Sequence, residues 1–167
     1  MRQDCQQLIE CLDQLVTVYR HLLDLVRKEQ QILTETKLDE LTELNKSKEK
    51  MVLKIKQLEM RWMTRADALG KMLQLKSQPS LKEIAEKVGG EQGLKLHNQR
   101  SVLNMLVSRV QEYNKKNEAL VQAALAHIAG AMNAIAETFK PNKTYKSGGE
   151  IRGDRDGASG RLITKQV

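Results

Sequence analysis

A chain of 167 residues with 40% apolar content can bury one sizeable core. Only 3% of residues are aromatic and only Pro79 and Pro141 interrupt the chain, which argues against a sheet and for an all-α protein built on Leu, Val, Ile, Ala and Met. The formal charge of +7 is uneven: residues 140–167 hold seven Lys/Arg against three Asp/Glu, and the rest has the mixed charge of solvated helix faces.

The first predicted helix spans about Gln3 to Leu33. Cys5, Leu8, Leu12, Leu15, Tyr19, Leu22 and Val26 recur every three or four residues, with Ile9, Val16 and Leu23 widening the stripe. This is the pattern of an amphipathic bundle helix, roughly 45 Å long. Cys11 lies off the stripe, about 240° around the helix from Cys5, so the two thiols cannot pair with each other. Unpaired thiols and the lack of a charged-then-apolar opening fit a reducing compartment.

A break is predicted at Thr34–Lys37, with Thr36 capping the next helix and Asp39 completing an imperfect capping box. The second helix runs to about Lys76 through Leu38, Leu41, Leu44, Met51, Ile55, Leu58, Trp62, Leu69 and Met72. Its middle, Asn45 to Lys50, is thin in apolar residues and is expected to be exposed or loosely packed. Ser77-Gln78-Pro79-Ser80 stops this helix, and Ser80 with Glu83 starts a short one over Leu81 to Val88, ended by Gly89-Gly90. The third long helix is predicted from near Glu91 to about Phe139, with Gly93 in its first turn.

Pro141 ends that helix. Residues 141–160 are rich in Gly and charge, a flexible linker by composition, before the closing Arg161-Leu162-Ile163 cluster. The predicted division is a helical bundle domain, 1–139, and a flexible basic tail, 140–167, with a short apolar terminal segment. Three long helices with short connections predict an elongated antiparallel three-helix bundle, its first two helices a coiled-coil hairpin, with one extra short helix.

Two asparagines stand out. The stripe of the last helix runs through Leu103, Leu106, Val110, Tyr113, Leu120 and Ala124, and Asn117 fills its missing seam position. Asn is a mediocre helix former, and a core-facing one costs stability unless satisfied. Asn117 is expected to be largely buried and to fix register. Asn114 is expected at a groove edge, within reach of a partner. The uncharged run Ala119 to Ala136 contains Gln122, His127 and Asn133, and reads as the close-packing end of a soluble helix, not a stable membrane insertion. Its Ala-rich stretch suits the close approach of another helix. Met51, Met60, Met63 and Met72 could add an adaptable surface, and these methionines and the residues of 123–136 are then either bundle core or a partner surface.

Catalytic and metal chemistry find no support. His21, His97 and His127 have no partner at ligand spacing. Gly89-Gly90-Glu91-Gln92-Gly93 follows no strand, so it is not a phosphate loop. The carboxylates are interleaved with lysines, with no pair isolated for acid–base work. No catalytic residue, metal or cofactor is predicted. Arg152-Gly153-Asp154 and Asn142-Lys143-Thr144 carry meaning only outside the cell, and the basic tail has only Tyr145 as an aromatic for nucleic acid.

The run Asn114-Lys115-Lys116-Asn117-Glu118-Ala119-Leu120-Val121 resembles the last-helix signature of FlgN-type flagellar export chaperones. Other features follow in order: Glu29-Gln30-Gln31-Ile32-Leu33, then Leu41, Leu44 and Lys48, then Leu58-Glu59 and Arg61. Tyr145 with Gly148-Gly149, and Gly160-Arg161-Leu162-Ile163, are similar to that family's tail, although Lys146 stands where many members have Gly. The resemblance implies a cytoplasmic chaperone, not an enzyme. Its cargo would be hook-associated filament-junction proteins, carried to the flagellar export apparatus. It implies no nucleic acid partner; self-association stays open. The alternatives are a coiled-coil scaffold without a client, or a chaperone for flagellin or the filament cap. Candidate partner-binding residues are Asn114, Asn117, Leu120, Val121, Leu125, Ile128, Met132, Tyr145, Leu162 and Ile163.

Overall fold

The computed structural model describes residues 2–139, and the regular structure among them is entirely helical. Helix α1 spans Arg2–Glu35, a 3-10 turn covers Leu38–Glu40, α2 spans Leu41–Met72, α3 Leu81–Val88 and α4 Gly90–Thr138. The chain falls into two compact units, Met1–Ala126 and His127–Val167. The flexibility expected of residues 140–167 lies outside the described residues.

In the first unit α1, α2 and the first part of α4 form a three-helix bundle. α2 runs antiparallel to α1, as the pairs Tyr19–Glu59 and Glu29–Lys48 show. α4 runs parallel to α1. Gln92 donates to the Arg2 carbonyl at 3.3 Å, Gln99 to the Ile9 carbonyl at 3.0 Å and Asn117 to the Val26 carbonyl at 2.9 Å, at a constant offset of 90 or 91 residues. The bundle is therefore up-down-up, the arrangement short connections impose.

α1 is packed on two sides, which explains its wide apolar arc. Cys11, expected off the stripe, is buried, and its Sγ lies 3.6 Å from the Leu58 carbonyl of α2. The stripe is broader than one helix contact needs because Cys11 and Val18 both join the buried cluster that holds Ile55 and Leu58 of α2. Both cysteines are free thiols, and burial pushes both above the usual thiol pKa.

The core forms two clusters joined by Trp62 and Leu103. One centres on Leu15, Leu22, Val26, Ile55, Leu58, Leu106 and Val110. The other holds Leu8, Leu12, Leu69, Ile84 and Leu96, all less than 2% exposed. Truncating any of these five to Ala would cost about 2–5 kcal/mol. Met72, expected in the α2 stripe, is 53% exposed instead, since α2 ends there.

The helix ends differ from the sequence reading in instructive ways. Thr36 does not cap α2. It has φ +59° and closes α1, with the Lys37 N–H donating to the Ile32 carbonyl at 3.1 Å. That is a left-handed C-terminal cap, whereas an N-cap needs extended backbone. α2 is entered through the 3-10 turn, and Glu40 at its N-cap makes no side-chain cap. α2 stops at Met72, four residues early. Gln74 takes φ +57°, and the Leu75 N–H reaches the Gly70 carbonyl at 2.9 Å. The return brings buried Pro79 onto Gly70, where a Cβ would sit 2.5 Å from the Pro79 ring.

α3 begins as expected, with the reciprocal Ser80–Glu83 capping box. The Ser80 hydroxyl and backbone N–H hold the Glu83 carboxyl below its ordinary pKa. Gly89 and Gly90, at φ +61° and +55°, make the break. α4 then starts at once, because Gly93 allows close contact: a Cβ there would lie 2.6 Å from the Ala85 carbonyl oxygen.

Candidate protein-binding surface

A polar layer crosses the bundle where α1 nears its end. Asn117 is 4% exposed, and its Nδ2 donates to the Val26 carbonyl at 2.9 Å and to Glu29 Oε2 at 2.7 Å. The same Glu29 oxygen accepts from Lys48 Nζ at 2.6 Å. Each helix contributes one seam residue: Glu29 continues the Leu22–Val26 line of α1, Lys48 lies between Leu44 and Met51 on α2, and Asn117 follows Val110 and Tyr113 on α4. Charge-assisted bonds of this kind are short and directional. The thin stretch Asn45 to Lys50 is accounted for here, since Lys48 fills the seam with a charge where an apolar residue would be expected. Asn117 Oδ1 is buried and accepts no hydrogen bond. Two cations lie over the Tyr113 ring, Arg27 at 5.6 Å and Lys116 at 5.7 Å from its centroid.

Asn117 is the last buried residue of α4; every residue from 118 to 139 is exposed. The expected continuation of the core through Leu120 and Ala124 is corrected here, since every residue of Ala119 to Ala136 is exposed. Leu120 and Val121 are 36% and 39% exposed, Leu125 55%, Ile128 57%, Met132 66% and Ile135 57%. The core reading of Leu120 and of the 123–136 stretch therefore fails, and Leu120, Val121, Leu125, Ile128 and Met132 lie at the surface. α4 contains an 18-residue window of mean hydropathy 1.5, none of it buried, which by length and composition alone is enough to cross a membrane.

Asn114 is exposed, one turn before Asn117. Its neighbour Lys116 bonds Glu112 at 2.7 Å and holds that carboxyl below its ordinary pKa, in the last ion pair before the uncharged run. The candidates thus separate. Asn117 is structural and tied to Glu29, Asn114 is at the surface, and the five apolar residues beyond are unburied. Tyr145, Leu162 and Ile163 lie outside the described residues. On α2, Met60, Met63 and Met72 are 70%, 52% and 53% exposed, while Met51 packs against the core. Sequence reading missed the partners of Asn117. The signal was present, since Glu29 and Lys48 both occupy positions where the apolar period calls for a core residue.

Among the described residues no three His, Cys, Asp or Glu side chains gather as a metal site. What the arrangement offers chemically is an apolar helix face, bounded on one side by a buried polar layer. None of the curated proteins or solved structures compared matches the chain. The family described as FlgN protein matches residues 1–153, nearly the whole sequence and all of the described helices. The chain belongs to the FlgN family, a family of flagellar export chaperones.

Proposed function

We propose that this chaperone acts in the cytoplasm, holds hook-associated filament-junction proteins by their amphipathic terminal segments, and delivers them to the flagellar export apparatus. The observation that carries the reading is the unburied apolar face of α4 beyond Asn117. An amphipathic cargo segment docks by laying its own apolar face along such a helix. Each Leu, Ile or Val that becomes fully buried contributes about 1.5–3 kcal/mol. Ordering a disordered segment offsets part of that gain, so cargo stays releasable. Asn114 would border the contact, and Tyr145, Leu162 and Ile163 would add contacts to cargo or to the export apparatus.

Calorimetry with a purified hook-associated protein tests this. A one-to-one complex is expected with the intact chain, weakened roughly tenfold or more by Leu125→Asp, which buries a charge at about 1.4 kcal/mol or greater cost. Leu125 is outside the core, so the bundle should unfold at an unchanged midpoint. Absence of binding to the intact chain would sink the reading.

A further inference from the structure

The apolar face of α4, with Phe139 just past its end, repeats with a period that its own second copy satisfies. Val121, Leu125, Ile128, Met132, Ile135 and Phe139 are spaced 4, 3, 4, 3 and 4 residues apart, the alternation of a coiled-coil seam. The seam is flanked by Ala124, Ala129, Ala131 and Ala136, with Gln122 and Thr138 at its ends. Those flanking positions ordinarily carry the charges that select a partner and its direction. Here they carry none, so nothing repels an identical helix, and their small side chains let it approach closely.

Direction follows from the layers and from charge. In an antiparallel pair Val121 meets Phe139, Leu125 meets Ile135 and Ile128 meets Met132, so the one large ring lies against the smallest seam residue and the inner layers pair side chains of similar size. A parallel pair would set Phe139 against Phe139 and would bring two basic segments 140–167, each with seven Lys/Arg against three Asp/Glu, to the same end. Antiparallel pairing sends them to opposite ends. The contact is isologous, so it closes at two copies. An exposed apolar face of this length marks an interaction surface.

We propose that two copies pair antiparallel through this stretch of α4, and that the pair is the resting form in which each copy masks the other's cargo surface. The masking part rests on the cargo reading above; the pairing does not. Sedimentation velocity of the full chain across a concentration series should show a reversible monomer–dimer equilibrium. Ile128→Asp should raise the dimer dissociation constant roughly tenfold or more without moving the unfolding midpoint of the bundle. Direction is read by oxidising an equimolar mixture of Ile128→Cys and Met132→Cys chains. The mixed disulfide should dominate, and neither variant alone should link efficiently. The native thiols are buried and do not compete.

A monomer at every concentration, or efficient linking of Ile128→Cys to itself, overturns the pairing. Added cargo should convert the dimer to a one-to-one complex, and cargo that binds with the dimer intact overturns the masking. Cargo binding by a strictly monomeric chain defeats this inference alone. A dimer that ignores cargo defeats the cargo reading and the masking together, leaving the pairing in place.

Discussion

Asn117 of α4 donates to the Glu29 carboxylate of α1 at 2.7 Å, and this contact lies where α4 passes from core to surface. Before it, Leu106 and Val110 are buried; after it, no described residue is. A buried amide at one seam position costs stability but penalises every sliding of α4 along α1, because any other register strands both Asn117 and Glu29. The layer thereby sets where the exposed apolar face begins.

Asn117→Ala should lower bundle stability by about 1 kcal/mol, toward the low end for a lost hydrogen-bonding group. Two donations are lost, one of them to a carboxylate, but the buried Oδ1 without a partner disappears with them. Lys48→Ala should cost more, about 2 kcal/mol, because it strips the cation from a carboxylate that is only 13% exposed. Urea unfolding of both variants checks the order; the reverse order would mean that the ion pair contributes little.

Thr36→Gly should stabilise the protein by about 1 kcal/mol. A β-branched residue at φ +59° bears the steric cost of the left-handed region, and glycine removes it at some expense in unfolded-state entropy. The thermal midpoint should rise. A fall would show that the Thr36 side chain makes up for its backbone.

The same substitution should act oppositely at two glycines of α4. Gly93→Ala drives a Cβ to 2.6 Å from the Ala85 carbonyl oxygen, a backbone atom that can yield only if α3 shifts, so a loss of about 1–2 kcal/mol is expected in urea unfolding. Gly130→Ala meets nothing within 4 Å and gains helix propensity of about 1 kcal/mol, read as increased helicity by far-ultraviolet circular dichroism.

Much of this was legible in the sequence because the periodicity is strong. The three long helices, the Ser80–Glu83 box, the Gly89-Gly90 break and the buried Asn117 all follow from local pattern. The helix ends at Thr36 and Gln74 were not legible, since neither residue carries the glycine that usually announces a left-handed cap. Cys11 falls outside the sequence stripe because an apolar stripe reports one contact and α1 makes two. The exposure of α4 beyond Asn117 was hidden for a related reason. Apolar periodicity marks a face that can be buried, and Leu125, Ile128 and Met132 would read the same against a core or a partner. What distinguishes them is which residues α1 and α2 cover, a tertiary fact.

Site-specific photo-crosslinking tests the central claim most directly, since a probe reports what lies against the position that carries it. A photoreactive side chain at Leu125 or Ile128 of the full chain, illuminated with a hook-associated protein present, should give a covalent one-to-one adduct with that cargo. The same probe at Met60, on the exposed face of α2, should give none. Cargo adducts at Met60 with none at Leu125 or Ile128 would contradict the account.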